Sequence, residues 1–218
     1  MKIKIKLTTV MFFLFLSIFN SQTSAQKFEI TPFYGYQFNG KVVGYEGDLN
    51  IRDATAYGLL FDITLRPGMQ LEFYFNRSDT RVDYIHFRGP TYKLIDASVN
   101  YFQIGGLKEV MRKKNITLYG ISSLGAMLLS PSGSGYNETP ELFYFEDKWF
   151  FSLTLGAGAK VWLSDRVGLR FEGRALMPIT WGGGGFMVGT GGSGFYFGGG
   201  SAILQANLSA GLIIGLGK

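Results

Sequence analysis

The sequence predicts an all-β fold, an eight-stranded antiparallel transmembrane β-barrel with an N-terminal signal peptide, and three observations carry that prediction. The first is strict two-residue alternation. In the last segment Leu204, Ala206, Leu208, Ala210, Leu212, Ile214 and Leu216 share one face, and Gln205, Asn207, Ser209, Gly211, Ile213 and Gly215 share the other. Successive strand side chains point to opposite sides, so this strand is greasy along one whole face. It is also long enough to cross a bilayer at a tilt, which takes about 9 to 11 residues. The second observation is compositional: 218 residues hold 31 Gly, 20 Phe and 12 Tyr, without an apolar run of the roughly 20 residues that a spanning helix needs. Lipid offers no partner to an unpaired amide, so a chain that crosses it without helices must close a barrel. The third is that short and long connections alternate along the chain.

Residues 1–25 read as a secretory signal. Lys2, Lys4 and Lys6 form a positive start, Val10 to Phe19 a short apolar core, and Thr23-Ser24-Ala25 resembles a small-residue cleavage site before Gln26. An apolar core of about ten residues is too short to span a membrane. The remaining residues, 26–218, are expected to form one barrel domain. Three of the basic residues leave with the signal and no acid does, so 18 basic residues face 16 acidic ones in the mature chain. The high pI therefore belongs largely to the signal, and no basic stripe of the kind that binds nucleic acid remains. The cluster Lys108, Arg112, Lys113 and Lys114 reads as a solvated turn. With no Cys and a single His, His86, neither a disulfide framework nor a thiolate metal site is available.

The strands follow in order. The first alternates Phe28, Ile30, Pro32, Tyr34, Tyr36 and Phe38 outward with Glu29, Thr31, Phe33, Gly35 and Gln37 inward. In the second, Tyr57, Leu59, Phe61, Ile63 and Leu65 oppose Gly58, Leu60, Asp62 and Thr64. It ends at Arg66-Pro67-Gly68-Met69, where Pro then Gly suit a type II turn. The third turns Leu71, Phe73 and Phe75 out and Glu72, Tyr74 and Asn76 in, and becomes polar from Arg77 to Arg81. The fourth, about Tyr92 to Ile104, and the fifth, about Ile116 to Leu128, alternate poorly, and their faces stay partly open. The charged stretch between them, Gly105 to Asn115, is expected to be a turn with room for a short helical turn. The sixth sets Trp149, Phe151, Leu153, Leu155, Ala157, Ala159 and Val161 against Ser152, Thr154, Gly156, Gly158 and Lys160. After Ser164-Asp165-Arg166, the seventh sets Val167, Leu169, Phe171, Gly173 and Ala175 against Gly168, Arg170, Glu172 and Arg174.

Connections after the second, fourth and sixth strands are short to moderate. Those after the first, third, fifth and seventh are expected to be long loops: Asn39 to Thr55, Ser78 to Thr91, Ser130 to Lys148, and Pro178 to Ile203. Short inner turns and long outer loops are the mark of a bacterial outer-membrane barrel, and an even strand number puts both termini in the periplasm. Tyr36, Phe38, Tyr57, Phe75 and Trp149 collect near the expected outer edge, as an interfacial girdle requires.

On this strand pattern, the signal peptide and the stretch Arg170-Phe171-Glu172-Gly173-Arg174 leading into a Gly-rich loop, the chain resembles the small eight-stranded outer-membrane barrels, OmpA/OmpX-like or OmpW-like, and especially those of Bacteroidetes. The resemblance covers Gln26 to Lys218. It implies a location in the outer membrane of a Gram-negative cell envelope, contact with outer-membrane lipid, and insertion by the barrel-assembly machinery as a monomer. Many such barrels end in an aromatic residue; this chain ends Leu216-Gly217-Lys218.

Candidate functional residues fall into two groups. Asp62, Glu72, Lys160, Arg170, Glu172 and Arg174 all take lumen positions and are expected to form a paired charge network. An eight-stranded barrel has an interior just wide enough for side chains to fill. Trp181, Phe186, Met187, Phe195, Tyr196 and Phe197 offer an outer-loop contact surface for a surface partner or a small apolar ligand. The triplet of glycines Gly189, Gly191 and Gly194 has dinucleotide-fingerprint spacing but lacks the strand-then-helix setting that motif requires. His86, Asp83 and Ser78 share the second outer loop, but nearness in sequence does not make a nucleophile and base. The expected function is therefore a structural or surface-interaction barrel with a plugged lumen, without cofactor, metal or catalytic residues. The alternative is a narrow passive channel for small solutes or small apolar molecules, as the OmpW-like resemblance implies, and a lipid-modifying barrel enzyme comes third.

Overall fold

The computed structural model describes residues 28–43, 47–86, 91–132, 147–179, 184–189, 192–197, 200–202 and 204–216. The signal-peptide expectation falls on residues outside this set. The described chain is built of strands: β1 (Phe28–Phe38), β2 (Lys41–Val43), β3 (Gly47–Ile51), β4 (Ala54–Arg66), β5 (Met69–His86), β6 (Thr91–Lys113), β7 (Ile116–Ser132), β8 (Lys148–Trp162), β9 (Val167–Ile179), β10 (Gly184–Gly189), β11 (Gly192–Phe197), β12 (Gly200–Ala202) and β13 (Gln205–Leu216). Eight of them close a ring in the order β1, β4, β5, β6, β7, β8, β9, β13 and back to β1, every neighbour antiparallel. Closure joins the first and last strands of the ring, so the wall amides find partners on neighbouring strands without water.

The expected faces of the first three ring strands and the last three hold. Along β1 the even positions 32 to 38 are open and Glu29, Thr31, Phe33 and Gln37 are buried in the lumen. Along β13 Gln205, Asn207, Ser209 and Ile213 are buried while Leu208, Leu212, Ile214 and Leu216 are exposed. Pro32 sits on the outward face, paired with Leu59 but with no partner residue on the β13 side, where its missing N–H costs least. The tight turn after β4 also holds: Gly68 adopts φ 77 after Pro67, so Arg66 pairs directly with Met69.

Three expectations change. Gly105 to Asn115 is not a turn: β6 runs on to Lys113, paired with Met69 to Glu72 on one side and with β7 on the other, and only Lys114 and Asn115 turn the chain. Pairing with β5 as far as Lys108 and with β7 as far as Lys113 satisfies those amides better than a short helix could, and Lys114 takes the left-handed conformation, φ 45, that a two-residue hairpin demands. The long loops after the first and third ring strands are largely strand as well. β2 and β3 form a hairpin whose Gly47–Ile51 pairs with Val82–His86, and β5 and β6 stay paired as far as Ile85 and Thr91. One wall of the barrel therefore extends far past the others. The Gly-rich last connection contains a separate three-stranded sheet, β10-β11-β12, with Phe186 opposite Phe195.

The open faces of the fourth and fifth ring strands are now assigned. Ala97, Val99, Tyr101, Gln103 and Leu107 of β6, and Thr117, Tyr119, Ile121, Ser123 and Met127 of β7, point inward. Both walls meet the lumen with apolar as well as polar groups, which erased the alternation. The turn end of the barrel carries the short hairpins and both ends of the described chain, Phe28 opposite Leu216. The loop end carries the extended wall.

Candidate functional site

Register brings three carboxylates side by side. Glu29 of β1 lies opposite Asp62 of β4, and Asp62 lies opposite Glu72 of β5, all pointing into the lumen and buried. Like charges placed directly across a sheet repel, so this wall folds only against a counter-charge. The far wall supplies it: Lys160 of β8 lies opposite Arg170 of β9, and Arg174 follows four residues along. Each wall alone is unfavourable, and the two complete each other across the barrel.

The contacts span the lumen. Lys160 Nζ bridges Glu29 and reaches Asp62 at 3.2 Å, and it donates to Gln70 Oε1 at 2.7 Å. Gln70 Nε2 in turn donates to Glu29 Oε1 at 2.8 Å. Arg170 pairs with Asp62 at 2.6 Å, with Glu172 at 2.9 Å, and with Glu72. Arg174 holds Glu72 at 2.9 Å and Glu172 at 3.0 Å. The Tyr119 hydroxyl donates to Glu172 at 3.1 Å. All six expected residues are therefore in one connected network. The structure adds a seventh charge, Glu29, so four carboxylates share three cations. Its inward face was readable from alternation; that it meets Lys160 across the barrel was not.

Two aromatic rings shape this layer. The Arg174 guanidinium lies 4.1 Å from the Tyr74 ring centroid, and Tyr74 stacks on Phe33 with centroids 5.6 Å apart and planes within 4°. Arg170 and Lys160 both approach the Tyr119 ring, at 5.2 and 5.8 Å. The close approach needs glycine: a Cβ at Gly158 would lie 2.5 Å from the Tyr119 oxygen, and one at Gly58 would lie 2.7 Å from the Phe33 ring. Above the charges, Phe33, Leu60, Tyr74, Val99, Tyr101, Met127 and Leu176 form an apolar layer across the lumen, continued by Ile51 of β3.

An amide layer adjoins it towards the loop end. Asn76 Nδ2 donates to Gln37 Oε1 at 2.7 Å, Gln37 Nε2 donates to Asn39 Oδ1 and Gln205 Oε1 at 2.9 Å each, and the Tyr101 hydroxyl donates to Gln205 Oε1 at 2.7 Å. Four strand walls are laced together by these bonds. The β2–β3 hairpin is tied down at the same end, where Arg52 and Arg81, the latter at 3.4 Å, both meet buried Asp83.

The remaining candidates do not assemble. Ser78 is buried on the lumen face of β5 and His86 closes the same strand eight residues on, roughly 26 Å at the rise of a strand. Asp83 is engaged by the two arginines. Trp181 lies outside the described residues, as do the side chains of Phe186, Met187, Phe195, Tyr196 and Phe197, whose backbone belongs to β10 and β11. Among the described residues no cluster of three or more His, Cys, Asp or Glu is placed to hold a metal ion.

No family model matches the sequence, and no curated protein matches it. In three dimensions the chain is similar to the outer membrane protein OprG from Pseudomonas aeruginosa, with a TM-score of 0.57 at 12% identity, covering 88% of this chain and 96% of that one. It is likewise similar to Neisserial surface protein A, with a TM-score of 0.55 at 11% identity, covering 86% of this chain and 96% of that one. At such identities the likeness is one of fold.

Proposed function

We propose, from the premise that the chain has the fold of the small eight-stranded outer-membrane barrels, that it is a closed scaffold in the outer membrane whose lumen is plugged and whose work is done at its loop end. The observation that carries this is the stack of charge, apolar and amide layers, each bridging opposite walls. A charged side chain in the middle of a barrel is costly unless paired, and ion pairs that bridge opposite walls fill the lumen between them. The exposed aromatics support the membrane placement: outward-facing Tyr36, Phe38, Tyr57 and Trp149 mark the loop-end edge, and Phe102 joins Phe75 and Trp149 at 5.2 and 6.0 Å. Such a belt sits at a membrane interface. In this reading the turn end and both termini face the periplasm, the long wall with its hairpin faces outward, and the contact surface for a partner lies there.

Conductance tests it. The mature chain, Gln26 to Lys218, refolded into a planar bilayer, is expected to stay electrically silent. Sustained unitary openings that change ion preference in Glu172→Gln would overturn the plugged reading in favour of a conduit. One observation favours that second reading: the Asn207 amide is fully buried, yet neither its oxygen nor its nitrogen has a hydrogen-bond partner among the described residues, so the lumen keeps polar capacity that a solute could use.

A further inference from the structure

The turn end carries an unbalanced charge that the lumen network does not use. Among the described residues it exposes Arg66, Lys108, Arg112, Lys113, Lys114 and Arg166, against two acids, Glu109 and Asp165. At the loop end, by contrast, Arg52, Arg77, Arg81 and Lys93 each meet a carboxylate, and among the described residues Lys148 does not. At the turn end only Arg112 has such a partner, Glu109.

Four of those six cations belong to one hairpin, the end of β6 and the start of β7. A bulge between Glu109 and Met111 leaves Val110 outside the ladder, and among the described residues it is the most open of the large apolar side chains at 78% exposure. Beyond the bulge Met111 pairs with Leu118, and Lys113 with Ile116, while Lys108 pairs with Gly120 before it. Leu118 and Ile116 are exposed and alternate with the buried Thr117 and Tyr119, so Lys108, Met111 and Lys113 share the outward face. Lysines therefore bracket apolar side chains on a surface that meets lipid, at the edge of the bilayer. The hairpin is held firmly: Glu109 N donates to Gly68 O at 2.9 Å, and Trp162 N donates to Asn115 O at 2.8 Å.

We infer that this hairpin binds the anionic headgroups of phospholipid in the leaflet at the turn end, with Lys113 and Lys114 on the phosphates, Lys108 reaching towards them from the strand, and Val110 and Met111 in the acyl region between. This rests on the membrane placement proposed above. Apolar side chains seated beside basic ones are what an interface rewards: the first enter the acyl boundary, and the second gain from each anionic headgroup within a Debye length. A solvated turn would need the lysines but would gain nothing from a protruding Val110 beside them.

The test uses the mature chain in vesicles of phosphatidylcholine with one fifth phosphatidylglycerol, gently extracted and weighed intact with its retained lipid. The ratio of retained phosphatidylglycerol to phosphatidylcholine is expected to be about fivefold above that of the vesicle, the factor that roughly 1 kcal/mol of headgroup attraction gives. Replacing Lys108, Lys113 and Lys114 together by Ala should bring the ratio to that of the vesicle, and replacing the three by Arg should keep the excess. Heat-modifiable migration on gels reports separately whether each variant is a folded, inserted barrel. A folded Ala variant that keeps the excess overturns the inference and leaves the membrane placement standing; a chain that never inserts overturns both. Loss of the excess to an equal concentration of inorganic phosphate would assign the site to free phosphate and overturn the lipid assignment. A wild-type chain with no excess overturns it too.

Discussion

Lys160 is the one cation of the lumen network that meets Glu29, and it shares Asp62 with Arg170. Removing it leaves four buried carboxylates against two arginines, and a buried pair broken on one side costs about 3–5 kcal/mol. Lys160→Met is expected to lose stability on that scale, read as the urea midpoint of the barrel in vesicles. Glu29→Gln should cost less than half as much, since it removes the carboxylate in excess and Gln70 remains beside Lys160. Glu172→Gln should fall between them, because Glu172 separates Arg170 from Arg174 and takes the Tyr119 hydroxyl. A Glu29→Gln variant as unstable as Lys160→Met would show that the carboxylates are not in surplus. Six members of this network were legible from inward positions of alternating strands. Its pairing was not, since Lys160 and Glu29 are 131 residues apart and only the closed ring brings them together.

Element by element, readability followed how unlike the two faces of each strand are. β1 and β13 contrast an exposed apolar face with a largely polar lumen, so a period of two stands out. β6 does not, because Ile95, Ala97, Val99 and Tyr101 line its buried inner face while Ser98 and Asn100, bonded to each other at 3.2 Å, are also buried. The same strand was cut short because Gly105, Gly106 and the charges after them read as a turn, and only pairing with β5 and β7 keeps them extended. Small residues opposite large ones set the spacing between elements. Gly158 of β8 gives its space to Tyr119 of β7, so Gly158→Val is expected to cost about 1–3 kcal/mol through overpacking. Combined with Tyr119→Ala, the loss should be smaller than the sum of the two single losses, because the clash then has no partner. Strict additivity in that cycle would place the cost of the valine elsewhere.

For the whole molecule, the ring and the sheet β10-β11-β12 are separate hydrogen-bonded units, and Leu176 already pairs with Gln205 beneath the connection that carries the small sheet. Replacing residues 181–203 by a short Gly-Ser link is therefore expected to leave heat-modifiable migration intact and the urea midpoint within about 0.5 kcal/mol. A barrel that then fails to insert would make that sheet part of the fold. The amino-acid order by itself determined the architecture: strand number, the faces of six strands, the tight turn at Pro67-Gly68 and a charged lumen all follow from a period of two and from turn chemistry, which are local. Which charges meet, that a fourth carboxylate joins them, and that two expected loops are one tall wall were decided only by closure. Closure sets the register between strands distant in sequence, and register chooses the partner of every inward side chain.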